Sequence, residues 1–140
     1  MIVSVREAHR DDADVLFGLA EDFVVTFAPS RSAFDPALVD IVSKDDAKLI
    51  VAEVDGEIVG YCLGFDHYTF FANGRVSWVE EITVKEAFRG KGVGRILMEN
   101  FEQWCRKRGS KIVALATRRA AAFYKRLGYD ESAVYFRKLL

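Results

Sequence analysis

The chain has 140 residues, a length that suits one domain with a single core. Hydrophobic residues make up 51% and charged residues 29%, as in ordinary soluble domains, and 20 Lys and Arg against 21 Asp and Glu leave a formal charge of −1. That balance supplies no general attraction to nucleic acid or to an anionic membrane, and the two cysteines, Cys62 and Cys105, exclude a disulfide framework and a cysteine zinc site.

The opening stretch, MIVSVREAHRDDAD, becomes charged within a few residues and lacks the apolar core of a signal peptide. No apolar run approaches the roughly 20 residues that cross a bilayer. A cytoplasmic protein without membrane or nucleic-acid partners is the expectation.

Residues 2–7 alternate apolar and polar and predict a short first strand. Asp11 and Asp12 stand where a helix N-cap is wanted, and Leu16, Leu19, Ala20 and Phe23 then fall on one helical stripe. Asp35-Pro36 opens a second helix, with Leu38, Ile41 and Val42 on its buried side. Between the two, residues 24–32 read as a loop beside a cleft. Residues 48–54 and 57–65 flank Asp55-Gly56, the clearest hairpin signal in the chain. Residues 66–71 (DHYTFF) are either a continuation of that strand or a mobile aromatic segment. Asn73-Gly74 turns the chain back into a strand over 76–84, completing an antiparallel meander.

A helix over 93–108 carries Val93, Ile96, Leu97, Phe101, Trp104 and Cys105 on one face and closes on Arg106, Lys107, Arg108 and Gly109. Residues 111–116 (KIVALA) form a nearly continuous apolar run, the pattern of a strand buried on both faces. Placed after a crossover helix, this strand should run parallel to residues 78–84. A short helix over 120–127 ends at Gly128, and residues 129–140 add one or two final strands. The last of them, 133–140, is apolar enough to pair across a homodimer, though a monomer fits equally well. The fold class is α/β (α+β), a single domain over 1–140 with a mixed sheet and about four helices.

The stretch that organises the rest is Arg89-Gly90-Lys91-Gly92-Val93-Gly94, between a strand and a helix. Glycines let the backbone pass close to a ligand, and a helix start presents unpaired N–H groups and the positive end of a dipole. Together these bind phosphate. The spacing is not that of a P-loop, since Arg95 stands where its lysine belongs. It is not a dinucleotide fingerprint either, since Leu97 stands where the last glycine is needed.

This run, preceded by Ile82-Thr83-Val84, resembles the acetyl-coenzyme A motif R/Q-x-x-G-x-G/A of the GNAT superfamily of N-acetyltransferases. Residues 120–129 (AAAFYKRLGY) are similar to a second signature of that family, A-x-x-FY-x-x-x-GF/Y. The element order matches as well, so the resemblance covers essentially the whole chain. It implies a sheet whose antiparallel N-terminal strands lead to a parallel pair splayed around acetyl-coenzyme A, the co-substrate. Arg89, Gly90, Lys91, Gly92, Val93 and Gly94, with Arg95, would hold the pyrophosphate. Ile82, Thr83 and Val84 would meet the pantetheine arm through their backbone, and Phe123 completes the cofactor set. Many members place Asn after the strand that follows the crossover helix. This chain has Thr117-Arg118-Arg119 there, so Arg118 or Arg119 either reaches the phosphates or stays on the surface.

Acetyl transfer from a thioester requires a neutral amine, yet a lysine-like amine has a pKa of about 10.4. A carboxylate can take that proton, and the departing thiolate needs one in return. Glu80 and Glu81 lie on the strand expected beside the thioester. In an unbulged strand they face opposite ways, and the family pattern favours Glu80 as base over Glu81. The plainer reading of Glu80 is an exposed carboxylate or a salt bridge. Tyr124 would protonate the leaving sulfur; its plainer reading is an aromatic packed under a short helix. His9 and His67 make no metal site, and none is expected.

The function implied is an N-acetyltransferase acting on a primary amine within a ternary complex. Asp22, Asp66, Glu80 and Glu81 suggest a small cationic, polyamine-like acceptor, in a pocket shaped by Tyr68 to Phe71 and the 24–32 loop. A protein amine as acceptor, and a non-catalytic coenzyme A-binding sensor, are the alternatives.

Overall fold

The computed structural model describes residues 1–23 and 26–140. Among these residues five strands form one sheet in sequence order: β1 (Ser4–Glu7), β2 (Ala47–Val54), β3 (Glu57–Thr69), β4 (Gly74–Val84) and β5 (Ser110–Ala114). The first three junctions are antiparallel and β4–β5 is parallel, because the chain returns to β5 through a helix. Among the described residues four α-helices flank the sheet: α1 (Ala13–Glu21), α2 (Arg31–Ser43), α3 (Val93–Lys107) and α4 (Ala121–Arg126). Among the described residues no helix is long and apolar enough to cross a membrane.

Strand alternation sorts the side chains of β2 and β3 into two cores. On one face Ile50, Ala52, Cys62 and Val79 pack against Val93, Leu97, Met98, Phe101 and Cys105 of α3 and Tyr124 of α4. On the other, Val51, Tyr61 and Leu63 meet Leu16 and Leu19 of α1 and Leu38 of α2. The tight β2–β3 turn uses Asp55 (φ 50°) and Gly56 (φ 77°), both in the left-handed region that such a hairpin needs. Gly64 sets the distance between sheet and helix, since a Cβ there would lie 2.2 Å from the Phe101 ring.

Several expectations change. Helix α2 begins at Arg31, a full turn before Asp35, and carries Pro36 inside it. The extra turn is held by Arg31, which donates to Asp35 at 2.7 Å and to Asp14 of α1 at 2.8 Å. Of the two alternatives for residues 66–71, strand continuation holds for residues 66–69, which extend β3. The apolar run 111–116 is not covered on both faces. β5 stops at Ala114, lies at the sheet margin, and leaves Ile112 42% exposed. No strand forms over residues 129–140, where Val134, Tyr135 and Phe136 are exposed. Instead of pairing with β5, this tail makes a contact near α1 and α2, where Arg137 donates to the Thr26 hydroxyl at 2.7 Å. Of the loop expected over 24–32, Val24 and Val25 lie outside the described residues.

Candidate active site

The site begins with a mismatch between neighbouring strands. Pairing of β4 with β5 ends at Trp78 opposite Ala114, yet β4 runs on to Val84. Residues 79–84 therefore border a gap on the side away from β3. Within this stretch the β3–β4 register jumps: Leu63 faces Glu81 and Gly64 faces Val79, leaving Glu80 as the extra residue of a β-bulge. In a regular strand Val79 and Glu81 would share a face. The bulge sends Val79 into the α3-side core and turns Glu81 to the opposite face, beside Leu63, while Glu80 is exposed. The carboxylate aimed into the fold is thus Glu81, where the sequence favoured Glu80, because the strand is not regular at this point.

Glu81 lines a cavity of about 310 Å³ between the sheet and α1–α2. Leu16, Phe23, Phe34, Leu38, Ile41, Leu49 and Leu63 supply most of its wall, with Phe27, Ser30 and Ala33 at an exposed rim. Tyr61 donates its hydroxyl to Glu81 Oε1 at 2.7 Å. Burial first, and the Glu81 carboxylate second, push the Tyr61 phenol well above its ordinary value, so it keeps its proton and remains a donor. Tyr61 was not foreseen as a site residue. No sequence signal pointed to it, since the bulge in the β3–β4 register is what brings Glu81 opposite Leu63, on Tyr61's face of β3.

The other acids expected at the cleft do not line this cavity. Buried Asp66 accepts two hydrogen bonds from Arg108, one of them at 3.0 Å, and lies 3.7 Å from Arg75. Asp22 is exposed. Of the aromatic residues expected to shape the pocket, Phe27 lines it, but Tyr68, Phe70 and Phe71 are exposed at the β3–β4 turn and do not. The extension of β3 carries them past the cavity.

The glycine loop lies at the opposite end of the gap. Gly90 (φ 73°) and Gly92 (φ 87°) hold left-handed conformations, and no atom lies within 4 Å of where their Cβ would be, so the space above the loop is open. The first bond into α3 runs from the Ile96 N–H to the Gly92 carbonyl at 3.1 Å. Ahead of it, the N–H groups of residues 90–95 have no backbone acceptor among the described residues, a ready set of donors for an anion. Lys91 and Arg95 are exposed beside them. Arg89 has a different place: its Nε donates to the Val84 carbonyl at 2.9 Å and ties the loop to the end of β4. That carbonyl, expected to serve the pantetheine arm, already has a partner. Ile82 and Thr83 lie on the gap-bordering stretch.

Phe123 joins α4 to the loop, its ring 3.3 Å from where a Cβ on Gly94 would stand. Tyr124, next to it, is 9% exposed and meets Phe123 and Tyr129 edge-on at 5.0 and 5.9 Å. Burial pushes its phenol up to about 12. Thr117 accepts the Ala120 N–H at 3.0 Å and so shapes the entry to α4, while Arg118 and Arg119 are exposed. His9 and His67 are exposed and apart, and among the described residues no group of three or more His, Cys, Asp or Glu could hold a metal. Cys62 and Cys105 are buried free thiols, both raised by burial, Cys105 to about 11.

The family model for the acetyltransferase (GNAT) family aligns with residues 6–129. The chain belongs to the GNAT acetyltransferase family. An uncharacterized N-acetyltransferase of Methanocaldococcus jannaschii is 32% identical over 94% of the chain, which spans 62% of that protein's length. Another, from Archaeoglobus fulgidus, is 30% identical, with 87% of this chain and 89% of the relative covered. Among solved structures, glucosamine-6-phosphate N-acetyltransferase from Arabidopsis thaliana superposes with a TM-score of 0.87 at 23% identity, covering 99% of both chains. This GNAT chain therefore shares the fold of that structure, with its own mixed five-stranded sheet.

Proposed function

We propose that this chain transfers an acetyl group from acetyl-coenzyme A to a primary amine, with both substrates held at once. One observation carries the reading. Glu81 belongs to the stretch of β4 that borders the gap and also lines the cavity under α1–α2, so two binding spaces meet at one carboxylate.

The residues fit the coenzyme. The N–H groups of residues 90–95 and the start of α3 suit its pyrophosphate, with Lys91 and Arg95 adding charge. Backbone groups of Ile82 and Thr83 border the gap where its amide-bearing arm would lie as an added strand. Arg89 acts by fixing the loop on Val84. Gly94 allows the close approach of Phe123, which braces the first turn of α3.

The bound coenzyme supplies an acyl carbon activated as a thioester; the amine lone pair forms the new C–N bond as the C–S bond breaks, and the sulfur leaves with the electron pair. Glu81 takes the proton that converts the ammonium to the attacking amine. Tyr61 orients Glu81 by the 2.7 Å hydrogen bond. Tyr124, which holds its proton to about pH 12, donates it to the leaving sulfur and recovers one from water. The second proton lost from nitrogen passes to solvent. Glu80, exposed at the bulge, has no proton-transfer role in this scheme.

The test is coenzyme A release from acetyl-coenzyme A against a panel of primary amines, alongside calorimetry of acetyl-coenzyme A alone. Binding with amine-dependent release supports the reading. Tight binding with no release for any amine or amine-bearing peptide would instead mark a coenzyme sensor.

A further inference from the structure

We infer that the acceptor is a primary monoamine with an apolar body about the size of one aromatic ring, and that diamines and polyamines are turned away. The inference rests on the acetyl-transfer reading and concerns the acceptor end of the same site.

The cavity has a rim and a floor of different character. Phe27, 75% exposed, and Ser30 and Ala33 stand at the rim, while Leu16, Leu38 and Leu63 are buried and close the floor. Among the described lining residues Glu81 is the single carboxylate, and no Lys, Arg, His or Asp joins it. A monoamine satisfies such a wall at both ends. Its ammonium meets Glu81, and its hydrocarbon takes the place of water against leucine and phenylalanine.

A second ammonium finds no carboxylate along the described lining and displaces apolar contact on its way to the exposed rim, so a polyamine gains less from this wall than a monoamine does. Asp66 is held by Arg108 and Arg75, and Asp22 and Glu80 are exposed and outside the described lining. A volume of about 310 Å³ is at the small end of ligand sites, room for a ring and a short linker but not for a folded peptide or an oligosaccharide. Since Glu81 also borders the gap, a nitrogen anchored there lies at the thioester end and its body extends into the apolar end.

Phenethylamine and spermidine serve as the paired probes, each at saturating acetyl-coenzyme A. Phenethylamine is expected to exceed spermidine in kcat/KM by roughly 100-fold, and to bind the protein–coenzyme A complex by calorimetry where spermidine does not. Ala33→Glu adds a carboxylate at the rim, at the third residue of α2, where an acidic side chain suits the helix start. It is expected to narrow the preference by about 10-fold or more. Equal or better turnover of spermidine by the unaltered protein overturns the inference and leaves acetyl transfer intact. So does failure of phenethylamine to bind the coenzyme complex. Binding of phenethylamine without turnover supports the pocket and removes the transfer reading. Absence of any affinity for acetyl-coenzyme A removes both.

Discussion

The Tyr61 hydroxyl and the Glu81 carboxylate, 2.7 Å apart, join β3 to β4 in the wall of an apolar cavity. The pair exists because the bulge at Glu80 turns residue 81 toward Tyr61's face of the sheet. Glu81→Gln is expected to lower kcat by about 100-fold or more, the usual worth of a positioned base, while Glu80→Gln stays within a few-fold of the parent. Tyr61→Phe should fall between them, since Glu81 loses its positioning donor but not its charge. Steady-state rates for the three variants decide the order. A larger loss for Glu80→Gln would move the base to the bulge.

Tyr124 is judged by what it does at high pH. Its phenol, ordinarily at 10.0, is raised to about 12 by burial, so the proton-bearing form persists beyond the usual range. Tyr124→Phe should reduce kcat by roughly 10-fold to 100-fold and leave acetyl-coenzyme A affinity within a factor of about two. The parent enzyme should lose no rate to Tyr124 ionisation between neutrality and pH 10. Stability behaves differently. Above pH 10 the unfolded chain ionises this tyrosine and the folded one does not, so the unfolded state holds fewer protons and stability falls as pH rises. Alkaline melting curves of parent and Tyr124→Phe should converge accordingly.

Gly64 and Phe101 test how closely α3 is seated. A methyl at Gly64 would meet the Phe101 ring at 2.2 Å and the Trp78 carbonyl at 2.6 Å. Gly64→Ala should cost about 1–3 kcal/mol by overpacking. Adding Phe101→Leu should give a double variant less destabilised than the two single changes sum to, because the shortened side chain makes room. Denaturant midpoints of the four proteins provide the cycle.

The β1–α1 corner carries an acid-sensitive tie. Arg6 grips Asp12 through two bonds of 2.9 Å, and Asp12 also accepts the His9 N–H at 2.8 Å. The bond to Arg6 is the largest cause holding the Asp12 carboxyl below its ordinary 3.8. A depressed carboxyl adds stability that is full above the unfolded value and disappears as pH falls through the folded one. Asp12→Asn should therefore cost about 1–3 kcal/mol at neutral pH, with the difference shrinking once pH drops below 3.8. Thermal melts at pH 7 and pH 3 measure it.

Local chemistry made much of this legible in advance. Asp55-Gly56, the α3 stripe and the glycine loop each rest on neighbours in sequence and stand where they were read, except that Met98 rather than Ile96 completes the stripe. Three features escaped for the same reason, dependence on distant partners. Whether Glu80 or Glu81 faces inward depends on one inserted residue in a ladder with β3, which alternation within β4 cannot reveal. The run 111–116 is apolar enough for an inner strand, yet burial requires a neighbour, and residues 129–140 do not pair with it. Helix α2 begins early because Arg31 finds Asp14 on another helix, a contact no capping rule contains.

Cys62 and Cys105, sealed in the core with their thiols raised above the ordinary range, leave the native surface silent to maleimides and to chromogenic disulfides. Colour developed during turnover then counts product alone, with no background from the protein. Under partial denaturation the same two sulfurs become a clock, their labelling rate following how often the sheet and α3 come apart.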